Sequence, residues 1–344
     1  GAGLFIDYGS PNWFHFGVAQ AWGEPREIQR FVLHSIPELR EGYGLKGIDA
    51  VIPTHYHDDH VCGFPYLVEH EDTVVWCHEA LREIIEHPAR FSVMCLYPKG
   101  VPVGRAFLDG EPQQWREYTL RTWHYPGQTE YHCLILVEAD GRRILFTGDS
   151  LFEEGGEWGS PIIFRNAFRP DSHRRCVEVL RQLPEVDLIC PGHGPAFAPE
   201  PGWVDSFAAR TDRLLSEFSD LLGADRFGPG VDPFRARIIP YTIAAQAGRT
   251  FRVEVEVRGY GEAAQRAVIR LHLPPEWVSL PSVEIVEVLP GQVSRAVFRV
   301  TPPENVKPLR RTAIAADVVL NEEPLGQVAE AMVEFGPGPR LVLR

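Results

Sequence analysis

The sequence predicts an α+β chain in two parts. A mixed helix-and-strand domain covers residues 1–222, a linker covers 223–243, and an all-β domain covers 244–344. Three observations predict this. At 344 residues the chain is longer than one ordinary core requires. In the first part, short apolar runs alternate with segments of helical period, and clusters of His and Asp stand just past the runs, where loops are free to vary. After residue 244 the pattern changes to period two, broken by Pro and Gly.

Taken in order, residues 4–7 read as a buried strand, with Tyr8-Gly9-Ser10-Pro11-Asn12 as its turn. Pro25 opens a helix in its first turn, where the missing N–H costs nothing, and Ile28, Phe31, Val32 and Ile36 share one face. Residues 48–54 form a strand that runs into Thr54-His55-Tyr56-His57-Asp58-Asp59-His60. Residues 73–77 are a strand and 79–87 a helix stopped by Pro88, with His78 as a helix-start residue. Residues 88–118, rich in Pro and Gly, read as an irregular connection and one wall of a pocket. Residues 119–123 are a strand. Residues 134–137 and 143–146 form a hairpin about Ala139-Asp140-Gly141 and end in Thr147-Gly148-Asp149. Residues 171–183 form an amphipathic helix with Cys176, Val179, Leu180 and Leu183 inward. Residues 186–190 are a strand leading to Pro191-Gly192-His193-Gly194-Pro195. A helix over 201–222 places Val204, Phe207, Thr211, Leu214, Leu215, Phe218, Leu221 and Leu222 at helical spacing. In the last part, residues 251–257, 267–273, 282–289, 294–300, 312–320 and 327–335 read as strands of a β-sandwich.

The chemistry concentrates at residues 55–60. Four groups that zinc accepts, His55, His57, Asp59 and His60, fall within six residues. At a strand end residues two apart point the same way, so His55 and His57 can grip one ion. Asp59 and His60, past the turn, can reach a second. Two cations close together share a bridging hydroxide, a nucleophile available at neutral pH.

The H-x-H-x-D-H string, followed in order by Pro126-Gly127-Gln128-Thr129, Thr147-Gly148-Asp149 and Pro191-Gly192-His193-Gly194-Pro195, resembles the metallo-β-lactamase fold hydrolases. The resemblance covers residues 4–200 and implies an αββα sandwich. It also implies a metal set of His55, His57, Asp59, His60, Gln128, Asp149 and His193, with Asp149 bridging two ions and His193 the last ligand. Zinc is the implied cofactor, one or two ions per chain, with iron or manganese as alternatives. The implied reaction is attack of a metal-bound hydroxide on a carbonyl or phosphoryl centre, with Asp59 orienting the hydroxide. In the family a strand ending in Asp-x-Gly lies near the metals, which Asp7-Tyr8-Gly9 matches. The β-hairpin that usually precedes that strand is missing, as expected of a fragment or processed form.

The departure is Gln128, where the family usually carries a histidine. An amide oxygen is a harder and weaker zinc ligand than imidazole. Three readings stay open: Gln128 binds the first ion weakly or through water, His124 or His132 substitutes, or only the ion at Asp59, His60, Asp149 and His193 binds firmly. His132 and Tyr131 are candidates to donate to an oxyanion, which makes His132 a candidate catalytic residue; alternatively His132 orients a ligand. Arg165 or Arg169, in a loop with Phe152, Trp158, Phe164 and Phe168, could hold an anionic group. Two rival functions are kept: an iron-dependent oxidoreductase of the same fold, and a non-catalytic scaffold with a degraded site.

The C-terminal part resembles immunoglobulin-like modules appended to bacterial hydrolases. It carries no catalytic cluster and reads as a packing, oligomerisation or weak-binding module, with Trp277 and Tyr260 the only aromatic platforms for a sugar. The formal net charge of −13 disfavours nucleic acid, no apolar run is long enough to span a bilayer, and a small-molecule substrate is expected. Six cysteines without a C-x-x-C, several in strand-like runs, fit a reducing, cytoplasmic compartment.

Overall fold

The computed structural model describes residues 1–9, 26–154, 157–159, 172–222, 232, 234–306 and 311–336; of residues 26–33, 152–154, 157–159 and 222 it describes only the backbone. Contacts divide the chain into two compact units, one of residues 1–88 and 93–227 and the other of residues 89–92 and 228–343.

The first unit is built on two sheets. In the first sheet β1 (Ala2–Ile6), β2 (Gly47–Ile52), β3 (Val74–His78) and β4 (Val103–Phe107) lie side by side in that order, all parallel. Parallel neighbours need a crossover, and helices supply it. Helix α1 (Arg26–Tyr43) joins β1 to β2; α2 (Asp58–Val61) and α3 (Phe64–His70) join β2 to β3; α4 (Glu79–Glu86) joins β3 to β4. Ile36 of α1 is buried, as are Leu81, Ile84 and Ile85 on one face of α4. His78 starts α4 as expected: its Nδ1 accepts the Ala80 N–H at 3.1 Å.

The second sheet contains β5 (Gln113–Trp115), β6 (Tyr118–His124), β7 (Cys133–Ala139), β8 (Arg142–Gly148) and β11 (Leu188–Pro191) in the order β11-β8-β7-β6-β5. It is antiparallel except for the β8–β11 pair, which α5 (Ser172–Gln182) makes parallel. A small hairpin of β9 (Phe152–Glu154) and β10 (Glu157–Gly159) precedes α5. Helix α6 (Trp203–Leu222) shares a core with α5 and one face of the sheet, where Leu134, Leu136, Leu145, Val179, Leu180 and Phe207 are buried together. Each such side chain contributes about 1.5–3 kcal/mol of transfer free energy. Leu221, expected inward, is exposed, because the last turn of α6 runs past this core. Two sheets flanked by helices give the expected αββα arrangement.

Residues 88–118 are more regular than expected. They contain a 3₁₀ turn at Pro88–Arg90 and the strands β4 and β5. Val103-Gly104-Arg105-Ala106-Phe107 carries no alternation strong enough to mark a strand, and the pairing with β3 makes it one.

The second unit is an all-β sandwich. One sheet has the order β12 (Ala236–Ile239), β14 (Phe251–Arg258), β18 (Val293–Thr301), β16 (Val278–Leu280). The other has β13 (Thr242–Ala245), β20 (Glu323–Phe335), β19 (Arg311–Leu320), β15 (Gln265–His272), β17 (Glu284–Val288). Inward residues of both sheets, among them Val253, Val255, Phe298, Ile269, Ala316 and Val333, form one core. The stretch 223–243 is therefore more than a linker, since Ala236–Ile239 pairs with β14. Of the two expected aromatic platforms, Trp277 makes T-shaped contacts with Phe251 and Phe335, and Tyr260 hydrogen-bonds the Asp232 carboxylate.

Candidate metal centre

Four loops at the ends of β1, β2, β8 and β11, and a fifth between β6 and β7, converge at one end of the two sheets. After β2 come Thr54, His55 and His57, and α2 follows at once with Asp58 and Asp59 in its first turn, where carboxylates favour a helix. The Asp58 carboxyl is pushed up to about 7, first by burial and then by neighbouring Asp59. Asp149 follows β8, His193 follows β11, and Gln128 stands in the 124–132 loop.

His60 Nε2 lies 3.3 Å from Asp149 Oδ1 and 3.7 Å from Asp59 Oδ2. His193 Nε2 lies 3.2 Å from Asp59 Oδ2 and 3.5 Å from Asp149 Oδ2. Four donors about 2.0–2.1 Å from a tetrahedral zinc stand about 3.3 Å apart, so these spacings suit one ion. Asp59, His60, Asp149 and His193 form one group with the dimensions of a metal site, and His55, His57 and Asp149 form a second. Asp149 belongs to both, with Oδ2 also 3.9 Å from His55 Nε2.

The donor atoms supply an independent test. His55 Nε2, His60 Nε2, Gln128 Oε1 and Asp149 Oδ1 are buried without a hydrogen-bond partner. An orphaned buried polar atom is costly, and four together fit the donor set of a metal ion. The backbone has made room for it. A methyl group on Gly192 would stand 2.5 Å from Asp149 Oδ1 and 2.8 Å from His60 Cε1, and one on Gly148, at φ +48°, would stand 2.4 Å from Thr54 Oγ1.

Electrostatics follow the same grouping. Burial would raise the Asp149 carboxyl, but the His193 and His60 imidazoles beside it outweigh this and hold the group well below the usual carboxylate range. Asp59 is lowered for the same reasons. The Asp149 and Asp59 carboxylates push His193 up to about 10. Burial disfavours a charge on His60, yet Asp7 and Asp149 together raise it well above the ordinary imidazole value. His55 goes the other way, lowered by burial and by His60 and His57.

Gln128 reaches the site differently from a histidine. Its backbone N–H donates to Ser150 Oγ at 3.0 Å, and its Nε2 donates to Asp149 Oδ2 at 3.4 Å. His132 is fully buried, with its ring stacked on His55 at 5.0 Å, and burial lowers it to about 3. His124 is committed elsewhere: its Nε2 bonds the Glu130 carbonyl at 2.7 Å and closes the loop that carries Gln128. Tyr131 packs edge-on against Tyr56. Phe164, Arg165, Phe168 and Arg169 lie outside the described residues. A cavity of about 380 Å³ opens on the site, lined by Asp7, Tyr8, Asp59, His60, Phe146 and His193 among others, and His193 is its exposed wall. Sequence reasoning passed over Thr54, Asp58 and Ser150; only the density of polar groups around the ligand string hinted at them.

A sequence profile of the metallo-β-lactamase superfamily matches residues 21–193, half of the chain. A profile of the NPCBM-associated, NEW3 domain of α-galactosidase matches residues 245–316. A hydroxyacylglutathione hydrolase of Aeromonas hydrophila is 32% identical over 108 residues, 31% of this chain and 35% of that protein. One of Aeromonas salmonicida is 31% identical over 113 residues, with the same coverage. The chain thus spans about a third of the length of these curated relatives. Among solved structures, a metallo-β-lactamase of Cronobacter sakazakii is 20% identical with a TM-score of 0.43, covering 64% of this chain and 83% of that one. A class B3 di-zinc metallo-β-lactamase from an Alaskan soil metagenome is 14% identical with a TM-score of 0.40, covering 63% and 83%. The two sheets with their flanking helices, the ordered ligand motifs and the matching profile agree: the chain belongs to the metallo-β-lactamase superfamily.

Proposed function

We propose that the first unit hydrolyses a small-molecule substrate at a carbonyl centre, using zinc held firmly by Asp59, His60, Asp149 and His193 and a second, more weakly held ion at His55, His57 and Asp149. The observation that carries this reading is the pair of donor groups sharing Asp149, with bare buried acceptors facing the shared space. A bound zinc supplies Lewis acidity and lowers the pKa of water. The chain does the rest. Asp149 and His193 hold the exposed side, while Asp59, fixed in the first turn of α2, is placed to orient the attacking water. His132 acts as a neutral wall that keeps the His55 ring in place. Gln128 supports the Asp149 carboxylate through its amide and leaves the His55–His57 group with one imidazole fewer than the family's usual pattern. A carbonyl substrate is favoured over a phosphoryl one because the curated relatives are hydroxyacylglutathione hydrolases, which points to a thioester or related ester.

The test is elemental analysis of the purified chain beside hydrolysis of thioesters, lactones, β-lactams and phosphodiesters. Between one and two zinc ions per chain, rising to two in Gln128→His, is expected, with thioester or ester cleavage abolished by His60→Ala and by Asp149→Ala. Activity retained in both alanine variants would overturn the metal mechanism, and cleavage of phosphodiesters alone would overturn the choice of substrate. Iron in place of zinc would bring the oxidoreductase reading forward.

A further inference from the structure

We propose that the cavity beside the candidate metal centre is a pocket for an uncharged aliphatic acyl group, which enters between the edges of the two sheets against Ile6, Phe146, Cys190 and Pro191. The inference rests on the carbonyl-hydrolase reading above and narrows it to esters and thioesters of neutral aliphatic acids.

The topology makes the opening. Strand β1 is the outer strand of the first sheet, and β11 is the outer strand of the second. Ile6 ends β1 just before Asp7. Phe146 and Cys190 are partners in the β8–β11 register and stand three residues before Asp149 and His193. The cavity of about 380 Å³ is lined by these apolar side chains and also by Asp59, His60 and His193, so a single space joins the candidate donors to an apolar wall. Its volume lies at the lower end for small-molecule sites.

Burial shows that this wall is only partly covered. Successive residues of a strand point to opposite faces. On the face of β8 and β11 that packs under the helices, Leu145 and Ile189 are wholly buried in the core with Val179 and Phe207. On the other face, Ile144, Phe146, Leu188 and Cys190 are all only half-buried, and so are Leu4 and Ile6 of β1. An apolar strip left partly open beside polar groups is surface that an aliphatic group would take out of water.

Charge decides which acyl groups enter. Among the described residues no lysine or arginine lines the cavity, whereas Asp7 and Asp59 do. A carboxylate at the far end of an acyl chain would lose its water there and find no cation beyond the candidate donors to replace it. Cys190 keeps the wall apolar: burial pushes its thiol up, and a neutral thiol packs as a small hydrophobe.

The experiment measures kcat/KM of the zinc-loaded full chain for N-acetylcysteamine thioesters from acetyl to hexanoyl, and for the adipoyl thioester, which has the hexanoyl length and ends in a carboxylate. The value is expected to rise about fourfold for each added methylene, the worth of burying one, and the adipoyl thioester is expected to lose that gain. Cys190→Met, which fills the pocket, should lower the hexanoyl-to-acetyl ratio about tenfold, the lower end of what one methylene decides in an apolar pocket. A binding readout stands beside the kinetics. Cys95 and Cys190 are half-buried and the other four cysteines are buried. Hexanamide should slow the labelling of Cys190 by methyl methanethiosulfonate, located by peptide mapping, and acetamide should not. Cys95, which does not line the cavity, is the internal control.

A flat chain-length series, an adipoyl thioester cleaved as fast as the hexanoyl one, or a wild-type ratio in Cys190→Met would overturn the acyl pocket and leave the hydrolase reading in place. If no thioester of any length is cleaved, the hydrolase reading falls, and the labelling decides the pocket alone: Cys190 left unprotected by hexanamide overturns it. Should Cys190→Met lose its fold by circular dichroism, the chain-length series and the labelling of the wild-type chain decide the question.

Discussion

Gly192→Ala tests the candidate centre without touching any donor. The added methyl would stand 2.5 Å from Asp149 Oδ1, 2.8 Å from His60 Cε1 and 3.1 Å from the Gly148 carbonyl carbon, where ordinary contact begins at 3.4 Å. Asp149 must therefore retreat by about 0.9 Å and His60 by about 0.6 Å, well beyond the roughly 0.2 Å tolerance of metal–ligand distances. Both residues belong to the group of four around Asp59 and His193, so half of its donors are displaced at once. Disturbing a group that only supports a ligand already costs about 10–100-fold in metal affinity, and moving two ligands should cost at least that. Overpacking should add about 1–3 kcal/mol of destabilisation to the metal-free chain. Metal content after dialysis against a graded series of chelators measures the first effect, and thermal melting of the metal-free proteins measures the second. A variant that keeps wild-type metal content and wild-type chelator resistance would show that Asp149 and His60 do not share an ion at this position.

Two predictions concern groups away from the metals. Asp109 accepts His78 Nε2 at 3.0 Å, the His124 backbone N–H at 2.6 Å and Arg175 Nη2, tying β3, β6 and α5 together; Asp109→Ala should cost about 1–3 kcal/mol, seen as a lower Tm at unchanged metal content, and an unaltered Tm would mean these donors are satisfied elsewhere. Glu256, buried in the second unit, would be raised by burial, but Arg237 at 2.6 Å and Arg295 at 2.8 Å outweigh it and lower it below the ordinary 4.5. Its stabilisation is then full above about pH 4.5 and is lost as pH falls through the folded-state value, so Glu256→Gln should flatten the acid limb of the melting profile of the second unit; an acid limb that stays as steep would assign it to other carboxylates.

How much of this was legible depended on how locally each feature is encoded. The string was plain because convergence compresses it: His55, His57, Asp59 and His60 come together at one candidate metal centre, which a strand end and one helical turn can arrange only within a few residues. Gln128, Asp149 and His193 were recoverable because each follows a strand in its own short motif. Asp7 was recognised as a neighbour of the site, but its bond to Thr54, across 47 residues, exists only once β1 pairs with β2. The long strands of the second unit alternate clearly. The short ones, β12, β13 and β16, have three or four residues each and are defined by the strand beside them. The same holds for β4 and β5. His132 shows the limit of motif reasoning: its place in the chain left a group facing substrate and a group orienting a ligand equally open, and folding put it behind His55 with no exposed surface.

Four of the unpartnered atoms at the centre, two ring nitrogens and two side-chain oxygens, belong to the candidate metal-binding residues, and their chemistry decides what would satisfy them. In the neutral form that metal binding requires, His60 keeps its proton on Nδ1 toward Asp7 and His55 keeps its own toward the Thr54 hydroxyl oxygen, so their Nε2 atoms offer only lone pairs, as do Gln128 Oε1 and Asp149 Oδ1. A water molecule has two protons to donate, so it cannot serve four converging acceptors, and an anion would repel them. A divalent cation matches the set. The metal-free chain then carries a folding cost that the ion removes, and the metal should act as a folding ligand. Stabilisation by a bound ligand follows RT ln(1 + [L]/Kd), about 2.7 kcal/mol at a hundredfold excess over Kd. Zinc titrated into the chelated protein should therefore raise the Tm of the first unit progressively, and a strong chelator should reverse the rise. The second unit, with no such group among its described residues, should melt at the same temperature throughout. If zinc left both transitions unchanged, the orphaned acceptors would have to be satisfied by rearrangement within the chain, and the case for a metal centre built from them would fail.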